Sequence, residues 1–544
     1  MRRKKPEIIE VGHQQLDDIA RRAQEVFDPK EAELIAKVFE SYEYLTDLIQ
    51  QKNMSIGRLQ KMLFGAKTEK TDKVRGDSAK PQGDSGEENE KRSTEDSDEA
   101  AAEGKPPPQG HGRNGADAYQ GAERIEVPHA SLAPGDACPE CGQGTVYEKS
   151  PGVVVRITGG APLGAKRYEL QKLRCHLCGR VFTAELPQAA GTRKYDATAA
   201  SMIGLLKYGS GLPFNRLEGL QRNLEIPLPA STGWDVVHSV APGLAPAFEE
   251  LIQQAAGGEV LHNDDTTVKI LALMGQRRDE FENDPSRTGL FTTGVVATRA
   301  GHRMALFFSG RQHAGENLAD VLKHRAGELD APIQMCDALS RNTPQELKTI
   351  VANCLAHARR RFVEVYDHFP EECGTVLEAL KIVYRNDAVA RRGGMTAEER
   401  LRFHQARSKP AMANLSDWLH RQFDEKLVEP NSTLGGAVNY MLNHWEKLTL
   451  FLHKAGAPLD NNICERALKK AILHRKNALF FKTQNGARVG DMYMSLIHTC
   501  ELNGANPLNY LTELISHTDD VRMNPNRWMP WNYRATLDRL QPAA

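Results

Sequence analysis

Apolar residues recur at Ile35, Val38, Tyr42, Leu45, Ile49, Ile56, Leu59 and Leu63. These are a and d positions of a heptad pattern, with Lys52 filling one d position. The pattern predicts a helix from Glu31 to Leu63 that either pairs with a second copy as a short coiled coil or packs on its own chain. From Thr71 to Gly110 large apolar residues almost vanish, and Asp, Glu, Ser, Gly, Pro and Lys dominate. Such a stretch cannot offset its ordering entropy and reads as a disordered tether. Strand-like runs return at Val153–Ile157 and Arg167–Leu173. Ala197–Lys207 and Leu212–Arg222 then read as helices, and Ser231 reads as the N-cap of a third. Helix, turn and capped helix together give a helix-turn-helix-like plan, shared with ordinary helical hairpins.

Beyond this the period changes to two. Glu259–Ala272 reads as a strand with Val260, His262, Asp264, Val268 and Ile270 on one face. Leu290–Thr298 and Arg303–Phe308 complete a meander. A helix from His313 to His324, a strand at Ala331–Asp337, a strand at Thr349–Leu355 and a basic helix opening at Ala356 follow. Amphipathic helical sequence fills roughly residues 371–453, and helices are predicted at Met492–Leu502 and Pro507–Ile515.

A chain of 544 residues is too long for one core. The pattern divides it into a helical oligomerisation segment (1–70), an acidic linker (71–130), a small cysteine-bearing domain (131–190), a helical DNA-binding region (191–258), an α/β domain with a helical insert (259–490) and a C-terminal helical segment (491–544). The formal net charge of −1 excludes a uniformly basic nucleic-acid binder, though the acidic linker can mask basic modules elsewhere. No apolar run reaches the roughly 18 residues of a membrane span. The basic start, Met1–Lys5, is followed by no apolar core of a signal peptide, so a cytoplasmic protein is expected. Nine cysteines in such a chain do not suggest a disulfide framework.

Four of those cysteines stand in two Cys-x-x-Cys knuckles, Cys138/Cys141 and Cys175/Cys178. Four thiolates around one tetrahedral ion make a zinc ribbon, and a filled shell leaves Zn²⁺ structural rather than catalytic. The element order of the α/β region is the ribonuclease-H-like plan. It would set Asp264, on the first strand, beside Asp337, at the end of the fourth. Glu465, on a later basic helix, is the available third acid. Three carboxylates at one locus can hold two Mg²⁺ ions about 3.5–4 Å apart. Each acid also has a structural reading: Asp264 or Asp265 as a strand-end or turn residue, Asp337 as a turn residue, and Glu465 as the closing member of a capping box with Asn462. Arg359, Arg360, Arg361, Arg475 and Lys476 are the candidate phosphate contacts, and Arg391, Arg392 and Arg400 of the insert could also follow a DNA backbone.

The chain resembles the transposases of the insertion-sequence 66 type, which carry a DDE active site. Leu59–Glu69 is similar to the family's zipper ending in Leu-Phe-Gly, and His111–Asn114 to its His-Gly-Arg entry to the zinc ribbon. Lys207-Tyr208, Leu212-Pro213 and Arg216 resemble its central helices. Asp264-Asp265-Thr266 stands where the family has Asp-Glu-Thr, and Cys354–Arg360 resembles its Cys-Trp-Ala-His-x-Arg-Arg. Asp460–Ala467, Arg475–Asn477 and the segment from Asn503 to Leu511 resemble three further motifs. Asp265, Leu355, Ala338-Leu339, His474 and Ala478 depart from the pattern. The resemblance implies that Asp264, Asp337 and Glu465 are catalytic and hold two Mg²⁺ (or Mn²⁺) ions. It also implies binding to inverted-repeat ends and target DNA, cleavage and strand transfer, often with companion proteins encoded by the same element. The coiled-coil reading adds the expectation of a homo-oligomer, and a cytoplasmic, nucleoid-associated protein is expected. A catalytically inactive DNA-binding relative acting as a repressor is the alternative.

Overall fold

The computed structural model describes residues 181–274, 289–344 and 347–540 continuously, together with parts of 19–39 and 131–174. Residues 19–23 and 34–39 are helical, which covers Ile35 and Val38 of the heptad pattern. The rest of that pattern, the acidic linker and Cys138, Cys141, Cys175 and Cys178 lie outside the described residues. Residues 81–169 and 223–226 cluster as one unit and the rest of the chain as another. In the smaller unit, Ala137 bridges Thr145 in antiparallel fashion. In the larger, β1 (Lys172–Arg174) pairs antiparallel with β2 (Val181–Thr183), bracketing the second Cys-x-x-Cys. No helix among the described residues is long and apolar enough to cross a membrane.

The larger unit is helix-rich α/β. Three helices lead in: α1 (Ala197–Gly204), α2 (Phe214–Asn223) and the 27-residue α3 (Ala230–Ala256). Asp196 caps α1 through its side chain. Ser231 does not cap α3, in contrast to the sequence expectation. The N-cap residue is Pro229, which has no side-chain acceptor, and the carboxylate of Glu218 on α2 accepts the Ala230 N–H instead. Between α1 and α2 a π-helical turn, Leu205–Gly209, carries Lys207 and Tyr208 into the interior.

The sheet comprises β3 (Val260–Thr267), β4 (Phe291–Arg299), β5 (His302–Gly310), β6 (Ile333–Cys336) and β7 (Ile350–Asn353) in the order β5-β4-β3-β6-β7. β3, β4 and β5 form an antiparallel meander, and β6 and β7 add in parallel to β3. α4 (Ala314–Leu322) joins β5 to β6, and α5 (Leu355–Val365) leaves β7. Then come α6 (Pro370–Arg392), α7 (Ala397–Arg407), α8 (Lys409–Asp424), α9 (Thr433–Asn443) and the short α10 (Trp445–Leu448). The apolar stripes of α6, α8, α9 and α10 share one core with Ile333 and Met335 of β6 and Phe362 of α5. Within it Asp387 binds Arg391 and Arg400 at 2.6 Å each and lies 3.3 Å from the His404 ring. Two of the three insert arginines, Arg391 and Arg400, are therefore held by a buried carboxylate.

α11 (Asn462–Ala478) crosses the sheet over β3 and β4, and α12 (Gln484–Leu502) lies along the edge strand β5. α13 (Pro507–Ser516), α14 (Thr518–Met523) and α15 (Tyr533–Leu540) complete the chain. The edge is closed by side chains rather than by another strand. The N–H groups of Arg303, Ala305, Phe307 and Ser309 donate to Asn503, Thr499, Ser495 and Asp491 at 3.2, 3.0, 2.9 and 2.6 Å. Four residues of helix advance about 6 Å, and two residues of strand about 6.6 Å. A polar residue at every fourth helix position can thus meet every second N–H of a strand, and an edge so covered is closed to further pairing. α12 runs through residue 490, where the sequence pattern placed a domain boundary.

Candidate active site

Asp264 sits in β3 directly opposite Gly294 of β4. Asp265, the next residue, pairs with Thr293. Strand alternation sends the two carboxylates to opposite faces of the sheet. The face of Thr293 meets α4, whose Asn317 amide donates to the Thr293 hydroxyl at 2.8 Å. On that face the Asp265 carboxylate lies 3.1 Å from His313 Nδ1 and 3.5 Å from an Arg341 guanidinium nitrogen. The face of Gly294 meets α11. A Cβ at Gly294 would fall 3.0 Å from Leu468 Cδ2 and 3.4 Å from Cys464 Sγ, so the missing side chain is what lets α11 approach.

α11 is fastened to β3 at both ends. Asn461, buried at its N-terminus, donates its side-chain amide to the Asn263 carbonyl (3.1 Å) and accepts from His262 Nδ1 (3.1 Å). Burial holds the His262 imidazole down at about 4, so the ring is neutral and its Nδ1–H is the donor. At the other end Arg475 donates to the Thr266 and Thr267 hydroxyls at 3.1 and 2.7 Å, and to the Thr267 carbonyl. Behind it, His474 stacks between Tyr208 and Phe481. The Lys207 ammonium donates to His474 Nε2 at 2.9 Å, bringing the π-helical turn against α11. Burial lowers Lys207 to about 8; burial and the lysine's charge lower His474 to about 3.

This anchoring places Glu465, in the first turn of α11, on the Asp264 face. The capping-box reading of Asn462 and Glu465 is not realised. Asn461 occupies the N-cap position without a side-chain cap bond, because its side-chain oxygen, the atom a cap would use as acceptor, accepts from His262 of β3 instead. Glu465 Oε1 is buried without a hydrogen-bond partner among the described residues. His357 Nε2 lies 3.7 Å away, beyond hydrogen-bonding distance.

Asp337 follows the last residue of β6. Its carboxylate accepts the Leu339 N–H at 3.3 Å and the Asn342 side-chain amide. The Asn342 carbonyl in turn accepts from Asn263 and Gln334, both at 2.7 Å, which ties the loop after Asp337 to the sheet. Asp264, Asp337 and Glu465 share one electrostatic neighbourhood. Burial first, and then the charge of Asp337, push the Asp264 carboxyl up to about 7; Asp265 and Glu465 add to this, while the Asp265 N–H, donating at 2.8 Å, opposes it.

The expected phosphate contacts divide. Arg359 is buried on α5, at 8% exposure, and is not a surface contact. Arg360 is half-buried. Arg361 is exposed and stacks 3.9 Å over the ring of Tyr440 on α9, beside the Asp337 loop. Arg475 is engaged with β3 as described, and Lys476 is exposed. Sequence reasoning set His262 on one face with Asp264 but gave it, Asn461 and Gly294 no role at this site. For Gly294 the available signal was a glycine in the middle of a β-branched run.

A family model, transposase IS66 family, matches residues 194–489. Three proteins of Sinorhizobium fredii are similar to this chain, each carrying the name uncharacterized protein. Protein y4hP is 27% identical over 433 residues, covering 75% of this chain and 76% of that protein. Protein y4jD is 27% identical over 406 residues, covering 71% and 75%. Protein y4qI is 25% identical over 351 residues, covering 61% of each.

Proposed function

This chain belongs to the IS66 family of transposases, and from that premise we propose that it cuts the DNA ends of a mobile element and joins them to a target at Asp264, Asp337 and Glu465. The observation that carries the reading is convergence: the Asp264 carboxyl, raised first by burial and then by the charge of Asp337, also feels Glu465, although the three acids come from β3, the end of β6 and α11. Like charges so placed cost free energy unless a cation joins them. The sheet order, an antiparallel meander extended by two parallel strands, supports a ribonuclease-H-like reading of this domain.

The donor set fits a hard divalent cation. It is all carboxylate oxygen, and one of those oxygens, Glu465 Oε1, is buried with no hydrogen-bond partner among the described residues. Asp264, Asp337 and Glu465 would hold Mg²⁺, which when bound activates an attacking oxygen and stabilises the leaving one. The chain's own residues prepare the site. Leu339 N–H and the Asn342 amide orient Asp337, the Asp265 N–H orients Asp264, and Asn461 sets the start of the Glu465 helix. Arg361 and Lys476 offer exposed positive charge to DNA phosphates.

The test uses labelled DNA carrying the terminal inverted repeats, with Mg²⁺. Asp264→Asn, Asp337→Asn and Glu465→Gln should each lower cleavage and strand transfer by about 10³-fold or more while end binding persists. Asp265→Asn, altered on the opposite face, should retain the chemistry. Full activity in Asp264→Asn, or loss confined to Asp265→Asn, refutes the assignment.

A further inference from the structure

Cys354 is the N-cap residue of α5 and His357 lies in its first turn; Glu465 lies in the first turn of α11. The two helix starts meet. One ligand atom from each of the three residues lies within 4.8 Å of the others. Cys354 is fully buried, and its sulfur accepts the Asn461 N–H at 3.3 Å. Two further buried atoms of these side chains, His357 Nδ1 and Glu465 Oε1, have no hydrogen-bond partner among the described residues, and His357 Nε2 lies 3.7 Å from Glu465 Oε1. Buried polar atoms without partners are uncommon, and here two of them belong to one group of three potential ligands.

We propose that Cys354, His357 and Glu465 form a site for a borderline-soft divalent ion of the Zn²⁺ or Co²⁺ type, separate in chemistry from the all-carboxylate site and sharing Glu465 with it. One thiolate, one imidazole and one carboxylate are the donors such ions take, at about 2.3, 2.0 and 2.1 Å. Mg²⁺ has little affinity for sulfur or imidazole and prefers the aspartates. Binding releases the Cys354 proton to solvent and turns the thiol into a thiolate ligand. Because one carboxylate serves both sites, zinc at Cys354 and His357 withdraws Glu465 from Asp264 and Asp337. Zinc is then an inhibitor of the Mg²⁺-supported reaction. Binding itself does not depend on the catalytic reading above; only the inhibition rests on it.

The experiment titrates full-length protein with Co²⁺ and follows thiolate-to-cobalt absorbance as the difference between wild type and Cys354→Ser. Cobalt on other cysteines contributes to both proteins and cancels. A Cys354-dependent band is expected, with cobalt affinity lowered roughly tenfold or more in His357→Gln, which keeps the thiolate. A flat difference spectrum, with both variants folded and binding cobalt like wild type, overturns the site. In the cleavage assay, zinc should inhibit wild type at a concentration at least roughly tenfold below that needed for Cys354→Ser. Equal inhibition of the two overturns the sharing of Glu465. A cobalt band alongside an active Glu465→Gln variant indicts the catalytic reading instead and leaves the metal site standing.

Discussion

The placement of Glu465 depends on an atom that is missing from β4, and Gly294→Ala tests this directly. The added Cβ would stand 3.0 and 3.1 Å from two carbons of Leu468 and 3.4 Å from Cys464 Sγ. Ordinary carbon–carbon contact is about 3.5–4.0 Å, so the Leu468 side chain, and α11 with it unless that side chain turns aside, must give by a few tenths of an ångström. The helix cannot slide freely, because Asn461 holds one end to β3 and Arg475 the other. Overpacking of this kind costs about 1–3 kcal/mol. A catalytic group displaced by about 1 Å can lose about 10²-fold in rate. Urea unfolding should show the stability loss, and the cleavage assay a rate loss larger than the fraction unfolded explains. Leu468→Ala removes the atoms that clash. In its background the further cost of Gly294→Ala should fall below about 0.5 kcal/mol, which a double-mutant cycle measures. A Gly294→Ala protein with unchanged stability and rate, or a cycle without coupling, refutes the account of how α11 reaches the sheet.

The edge ladder makes two further predictions. Burial pushes the Asp491 carboxyl up to about 7 despite its hydrogen bonds from the Ser309 N–H and hydroxyl. A carboxyl raised by folding is stabilising while protonated, so its contribution is complete below its ordinary value of 3.8 and is lost as pH rises through about 7. Unfolding measured from pH 4 to 8 should therefore show wild type losing up to about 4 kcal/mol relative to Asp491→Asn, and parallel profiles would refute this. Ser495→Ala leaves the buried Phe307 N–H without its acceptor and should cost about 1–3 kcal/mol, with early hydrogen exchange at that amide; unchanged protection would show that the ladder does not hold the edge.

Local periodicity exposed the strands and helices that bear the three acids, because period two and period 3.6 are written in neighbouring residues. Partners distant in sequence were hidden. Asp491, Ser495, Thr499 and Asn503 repeat at every fourth position, yet nothing in that spacing names β5 as the strand they cover. Lys207 and His474 lie 267 positions apart, and neither suggests the other. Of the arginine run only Arg359 falls on the buried side, and the helical period already carries the reason. Leu355, Arg359 and Phe362 fall on one side of a helix at offsets of four and three, so the face that buries Leu355 and Phe362 also takes Arg359 inward.

The choice between Asp264 and Asp265 is more instructive. Alternation requires that adjacent acids face opposite sides of a sheet, but it is symmetric and does not say which side holds the third acid. A helix that lies close on a strand needs a position without a Cβ. In the β3–β4 register Gly294 stands opposite Asp264, whereas Thr293 stands opposite Asp265. The helix start that carries Glu465 can therefore approach on the Asp264 side, while Asp265 is left to His313 and Arg341. The discriminating residue is thus neither acid but the glycine across the strand pair, and its meaning depends on a register that β4 and β3 acquire only when paired.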